Sequence, residues 1–136
     1  MGFRMPDAEK ITTNIPVVDL GQIDLLVEQG FYSNRTDFVK TAVRNHLSRH
    51  SEEVHQTITK KSYVVGITQY GTNSLERVKE EGAKLDIRTL GMLVIADDVP
   101  IDLALETINS VIVYGVFRAS GQLKRALGDR IISSTR

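Results

Sequence analysis

The sequence predicts an α+β protein: a short N-terminal strand, then two helices, then a small α/β region in the second half of the chain. Three observations predict this class. Residues 10–15 alternate in polarity, as a half-buried strand does, and residues 17–48 carry apolar side chains at helical spacing. Residues 62–136 repeat an apolar pattern centred on Gly66, Gly91 and Gly115, which stand 25 and 24 residues apart.

The composition limits the classes of protein that are open to this chain. Hydrophobic residues make up 41% and charged residues 25% of the 136 residues, which is typical of a globular protein. No apolar run approaches the roughly 20 residues of a spanning helix, so we expect no membrane insertion. The absence of cysteine excludes disulfides and thiolate sites, and with no secretory signal in the first residues it favours the cytoplasm.

Residues 10–15 read as a short strand that stops at Pro16, because proline cannot donate a ladder hydrogen bond. The alternation gives this strand two faces. The inward face consists of Ile11, Thr13 and Ile15, and the outward face of Lys10, Thr12 and Asn14. A lone strand leaves a row of N–H and C=O groups unpaired. We therefore expect the same strand of a second copy to pair with it, giving a two-fold dimer with an antiparallel two-stranded ribbon.

Two helices follow the predicted strand. Residues 17–29 place apolar side chains at helical spacing and end before Gly30, a residue typical of helix C-termini. A second helix is predicted over residues 34–48, because Ser33 and Asn34 are both good N-caps and Asp37 stands three residues beyond Asn34. Its apolar stripe consists of Phe38, Val39, Ala42, Val43 and Leu47.

The segments KITTNIP, QGFYSNRTDF and VKTAVRNHL, in this order and spacing, resemble the CopG/MetJ/Arc-type ribbon-helix-helix family over residues 9–50. The resemblance implies a homodimeric, DNA-binding transcriptional regulator, a repressor, whose partner is a double-stranded DNA operator. It implies that Lys10, Thr12 and Asn14 contact base edges in the major groove. It also implies that Ser33, Asn34 and Arg35 hold a phosphate. The chemistry agrees, since Asn and Lys side chains pair with purine edges and helix N-termini attract phosphate.

Two features depart from that pattern. Thr13 stands at an inward position where the family usually has an aliphatic residue, and the outward face has one cation, Lys10. Residues 1–61 contain eight Lys or Arg and eight Asp or Glu, so DNA contacts must come from placement and not from bulk charge. The alternative is a protein-interaction or antitoxin-like module in which the ribbon serves mainly for dimerisation.

The sequence divides into residues 1–52, a linker or helix extension over 53–61, and a C-terminal α/β domain over 62–136. Each C-terminal unit reads as a strand around its glycine followed by a helix, over residues 73–81, 100–107 and 121–127. The period is that of a leucine-rich-like β/α mini-solenoid with three repeats. A small βαβ-containing sandwich is the competing fold, and both predict parallel strands covered by helices. Continuous apolar runs here predict a further interface, giving a strengthened dimer or a tetramer, and we expect assembly or sensing of a protein or small-molecule effector.

No catalytic constellation is visible, so the sequence predicts neither an enzyme nor a cofactor. Asp97 and Asp98 are adjacent and are interpreted as a turn or helix cap. His46 and His50 stand four apart with His55 beyond them, a spacing that can chelate a metal ion. We expect no native metal site there, because no cysteine or nearby carboxylate completes a ligand set.

Overall fold

A computed structural model describes residues 8–133. The chain forms two compact units. One unit spans Lys10–Gln56, and the other comprises the described residues from Thr57 onward together with Ala8 and Glu9.

The unit Lys10–Gln56 is helical. Helix α1 spans Val17–Glu28 and helix α2 spans Arg35–Ser48, which confirms both predicted helices to within one residue at each end. The region 53–61, predicted to be either a linker or a helix extension, lies within helix α3, Ser51–Lys61. Acidic residues in its first turn and basic residues in its last turn suit the helix dipole. No helix within residues 8–133 is long and apolar enough to cross a bilayer.

Residues 10–15 form neither helix nor strand in the single chain, and their side chains are exposed. None of the other described residues pairs with them in a ladder. The predicted strand requires the same segment of a second copy as its partner, so the two-stranded ribbon stays a prediction.

The second unit alternates strands and helices along the chain. In order it contains β1 Val64–Tyr70, α4 Thr72–Glu80, β2 Leu85–Ile95, α5 Ile101–Thr107, β3 Ile108–Arg118, α6 Gly121–Leu127, a 3₁₀ turn Gly128–Arg130 and β4 Ile131–Ser133. All neighbouring strands are parallel, in the order β1-β2-β3-β4. The three predicted helices are each confirmed to within one residue at either end. Asp97 and Asp98 lie in a turn, as predicted.

The glycine alignment is confirmed by the strand register. Gly66 pairs with Gly91 and Gly91 pairs with Gly115, so the glycines form one row across the sheet. Each has a positive φ, between 120° and 135°. A Cβ at Gly91 would overlap the carbonyl oxygen of Gly66, and one at Gly115 would overlap that of Gly91. Only glycine therefore fits at these two positions.

The core of this unit lies between one face of the sheet and helices α4, α5 and α6, which pack side by side. Its buried members are Leu75, Ile87, Leu93, Ile95, Val99, Leu103, Ala104, Ile108, Val111, Val113, Leu123 and Leu127. Parallel strands covered by helices, the feature common to both predicted folds, are confirmed. The mini-solenoid itself stays a prediction.

Candidate nucleic-acid interface

The six residues of the predicted ribbon are exposed on both of its faces. The outward side chains Lys10, Thr12 and Asn14 are in solvent, as base-contacting residues must be. The inward side chains are exposed as well: Ile11 is 84% and Ile15 is 41% accessible. Fully burying an exposed isoleucine stabilises a protein by about 1.5–3 kcal/mol. Ile11 would gain most of this and Ile15, already more than half covered, a smaller part, so their exposure in one copy favours association.

The unit Lys10–Gln56 lacks a core of its own. Ile23 is its one buried residue among those described, and α2 buries none. Of the predicted apolar stripe on α2, Val39, Val43 and Leu47 are exposed, and Leu47 is 60% accessible. A helical unit of this size needs a hydrophobic core to fold, and small domains commonly complete theirs with a partner.

The start of α2 is fixed by a reciprocal pair of hydrogen bonds. The Asn34 side-chain oxygen accepts from the backbone N–H of Asp37 at 2.8 Å, so of the two predicted N-caps, Ser33 and Asn34, it is Asn34 that caps the helix. The Asp37 carboxylate accepts in turn from the backbone N–H of Ser33 at 2.9 Å. The first bond satisfies one of the donors that a helix start leaves open, and the second ties Ser33, which precedes the N-cap, to the first turn of α2.

Arg35 makes a bidentate ion pair with Asp24 of α1. Its Nε donates to Oδ1 and its Nη2 to Oδ2, both at 2.8 Å. The side chains are 59% and 49% accessible, so water screens the pair. The hydrogen bonds from Arg35 hold the pKa of the Asp24 carboxyl below its usual value. The guanidinium is thus neutralised locally before any phosphate arrives.

The three predicted phosphate-contacting residues stand next to one another at the start of α2, but their donors are partly occupied. The N–H of Ser33 is bonded to Asp37, and the guanidinium of Arg35 is bonded to Asp24. The backbone N–H groups of Arg35 and Thr36 have no acceptor within the helix, because the first intrahelical bond runs from the Phe38 N–H to the Asn34 carbonyl oxygen. They are the donors best placed for an anion, together with the exposed Ser33 hydroxyl.

Sequence reasoning missed Asp24 altogether. A signal for it was present, because an acidic residue near the end of α1 and a basic residue at the start of α2 flank a short helix–helix connection. Thr36 was missed as well, although its position as the second residue of α2 makes its N–H a helix-start donor.

The charge of the unit Lys10–Gln56 is slightly negative. It contains five Lys or Arg residues and six Asp or Glu residues. Nonspecific attraction to phosphates is therefore weak, and any DNA contact must depend on where the cations stand.

Two basic residues near the C-terminus, Arg118 and Arg130, make hydrogen bonds within the second unit. Arg130 Nη1 donates to the carbonyl oxygens of Leu105 and Ile108 at 2.7 and 2.8 Å, where α5 passes into β3. Arg118 Nη2 donates to Glu9 Oε2 at 3.1 Å. Arg118 and Arg130 are therefore engaged in contacts within this unit.

A cavity of about 580 Å³ lies at the carboxyl ends of β1, β2 and β3. Its polar lining residues are Gln69, Asp97, Arg118 and Lys124. Ligands of parallel α/β sheets commonly bind at this edge.

The histidines of α2 and its C-terminal side lie close together. The ring centroids of His46 and His50 are 5.5 Å apart. Within residues 8–133 no group of three or more metal-ligating side chains comes together.

Comparison with models of known protein families gives a match. The model of the Ribbon-Helix-Helix transcriptional regulator family matches residues 6–124, most of the chain. The match runs past the two N-terminal helices into α6, so it extends well beyond the residues that carry the sequence resemblance. No curated protein matches the chain. No solved structure matches it either. The chain belongs to the ribbon-helix-helix transcriptional regulator family.

Proposed function

We propose that the protein is a prokaryotic-type repressor whose N-terminal units dimerise and read a short palindromic or repeated operator. Two copies of residues 10–15 form an antiparallel ribbon in the major groove, and Lys10, Thr12 and Asn14 contact base edges. Since its ligand is chromosomal DNA, the protein acts in the cytoplasm. The C-terminal unit serves assembly or sensing.

The observation that carries this proposal is the missing core of the unit Lys10–Gln56. Ile23 is its one buried residue among those described, whereas Ile11, Ile15 and Leu47 are exposed. A ribbon dimer places both copies of Ile11 and Ile15 onto four helices and gives them a common core. The family to which the chain belongs supports the same arrangement.

Phosphate contacts follow from the start of α2. We assign them to the Ser33 hydroxyl, the N–H groups beside Asn34 and the Arg35 guanidinium. The last of these requires Arg35 to exchange the Asp24 carboxylate, which accepts two of its N–H bonds, for a phosphate group. A phosphate can accept two parallel N–H bonds from a guanidinium in the same way. This exchange lowers the net gain from the contact, so we expect modest affinity at each half-site.

Two observations favour the alternative of an interaction or antitoxin-like module. The unit Lys10–Gln56 carries more acidic than basic residues, and Arg35 is already paired with Asp24. In that case the ribbon forms and the dimer is stable, but DNA contributes little.

A salt-titrated binding assay with the full chain separates the two functions. Random-sequence and genomic double-stranded DNA are compared for the wild type and Ile15→Asp. The buried charge of Ile15→Asp is expected to abolish the ribbon dimer and DNA binding together, whereas Thr13→Val, a matched inward substitution that adds no charge, keeps both. A wild-type dimer that binds neither DNA at low salt would overturn the proposal and favour the interaction module.

A further inference from the structure

Strand β1 forms an open edge of the C-terminal sheet. No strand among the described residues pairs with it on the side away from β2, so a row of its backbone N–H and C=O groups faces outward. Its sequence, VVGITQY, contains neither a charge nor a proline. Natural edge strands usually carry one of these to prevent strand addition, and β1 carries neither.

The opposite edge of the sheet is partly blocked against the addition of a strand. β4 pairs with β3 at Val111 and Ile112, and farther along β3 the ammonium group of Lys124 donates to the carbonyl oxygen of Phe117 at 2.8 Å. The same ammonium lies 5.1 Å from the centroid of the Phe117 ring. A cation bound to the edge carbonyl and a short extra strand are two of the devices that block strand addition. The two edges therefore differ in their capacity to accept another strand.

The side chains of β1 suit a dry contact. Val64, Val65 and Ile67 are 55%, 59% and 50% accessible. A Cβ placed on Gly66 would have no atom within 4 Å, so another backbone can approach there as closely as the Gly66 carbonyl approaches Gly91. An uncharged edge of seven residues with three exposed aliphatic side chains is a site for pairing with an extended strand.

We propose that β1 pairs antiparallel with β1 of a second copy, about a two-fold axis through Ile67. The register that pairs all seven residues sets Val64 against Tyr70, Val65 against Gln69 and Ile67 against itself. No charges meet in this register. The result is one continuous sheet through two copies.

Two-fold pairing of β1 with β1 fits this edge better than head-to-tail contact between sheets. Two-fold pairing uses both open edges and closes, whereas a head-to-tail contact would set β1 against the edge held by β4 and Lys124. The inference rests on the proposed function in one respect, since the ribbon dimer supplies a second copy at high local concentration. The pairing itself involves no residue of the unit Lys10–Gln56.

Cysteine cross-linking tests the pairing directly, because the chain has no cysteine of its own. In the full chain, Ile67→Cys is compared with Ile132→Cys. Ile132 is 65% accessible and lies on β4, the opposite edge strand, so this control places an exposed thiol away from β1. Facing residues of an antiparallel pair lie within disulfide reach. We expect Ile67→Cys to form a disulfide-linked pair of chains roughly 10²-fold faster than Ile132→Cys at micromolar protein.

The register is tested by mixing variants. Val65→Cys and Gln69→Cys should each cross-link slowly alone, and a co-expressed mixture should give the mixed disulfide. A preference for Val65→Cys with itself, or equal rates for all variants including Ile132→Cys, would overturn the proposed pairing.

A charge variant gives an independent measurement. Ile67→Lys is expected to lose the β1 contact, seen in sedimentation as association that requires a higher protein concentration, whereas Ile132→Lys should sediment as the wild type does. Circular dichroism checks that both variants are folded. Unchanged assembly of folded Ile67→Lys, with no cross-linking of Ile67→Cys, would overturn the inference even if operator binding were intact. Efficient cross-linking of a chain that binds no DNA would count against the proposed function alone.

Discussion

The Arg35 guanidinium faces the Asp24 carboxylate in a parallel, two-bond geometry, with Nε–Oδ1 and Nη2–Oδ2 distances both of 2.8 Å. This pair joins α1 to the start of α2, where we propose that a phosphate of the DNA backbone binds. If it does, the Asp24 carboxylate and the phosphate compete for the Arg35 guanidinium, and this competition can be measured.

Removing Asp24 should strengthen binding to all DNA sequences. Asp24→Ala frees the Arg35 guanidinium for phosphate, so we expect the magnitude of the salt slope to rise by about one per half-site, or about two for a dimer. Asp19→Ala is the matched control, because it removes the same charge from an exposed position of the same helix. Equal salt slopes for the two variants would mean that Arg35 does not contact phosphate.

Acid titration should detect the same pair without DNA. The hydrogen bonds from Arg35 lower the pKa of Asp24 in the folded protein below its unfolded value of about 3.9. The ion pair therefore stabilises the folded state fully at pH values above the unfolded pKa of Asp24. This stabilisation is lost as the pH falls through the lower pKa of the folded protein. Carboxyl NMR titration should show a low pKa for Asp24 that rises in Arg35→Gln. An ordinary pKa in both proteins would argue that the pair does not form in solution.

The glycine row should rank substitutions by position. Gly115→Ala combines a strained positive φ with overlap against the Gly91 carbonyl, whereas Gly66→Ala has the strained φ with open space beside it. We expect a cost of about 1–3 kcal/mol for Gly66→Ala and a larger cost for Gly115→Ala. Urea unfolding measures both, with Gly121→Ala, at the helical start of α6, as the control. A Gly115→Ala variant as stable as the control would contradict the observed register.

Much of the secondary structure followed from local signals. Asn34 and Asp37 marked the start of α2, and the spacing of Gly66, Gly91 and Gly115 gave the strands and the helices between them. These features depend on residues close in sequence or on a repeated pattern, which one chain displays openly.

The features that could not be predicted depend on contacts between elements, which the spacing of apolar residues does not reveal. The sequence left open whether the region of α3 is a linker or a helix, because Ser51–Lys61 is weakly apolar and its helical signals are mainly its terminal charges. The Asp24–Arg35 pair joins two helices across a turn, and the open edge at β1 depends on the order of strands in the sheet. The outward residues Lys10, Thr12 and Asn14 were placed by resemblance, and their contacts with DNA remain a prediction.

Selection of preferred sites from random double-stranded DNA, by the wild type and by Asn14→Ala, tests the central claim most directly. If the ribbon reads base edges, the wild type should enrich a two-fold symmetric or repeated motif. Asn14→Ala should then lose preference at one base pair of each half-site, with a cost of about 1–3 kcal/mol on the wild-type motif and no loss of the folded dimer. An identical motif for both proteins, or no enriched motif for the wild type, would contradict the account.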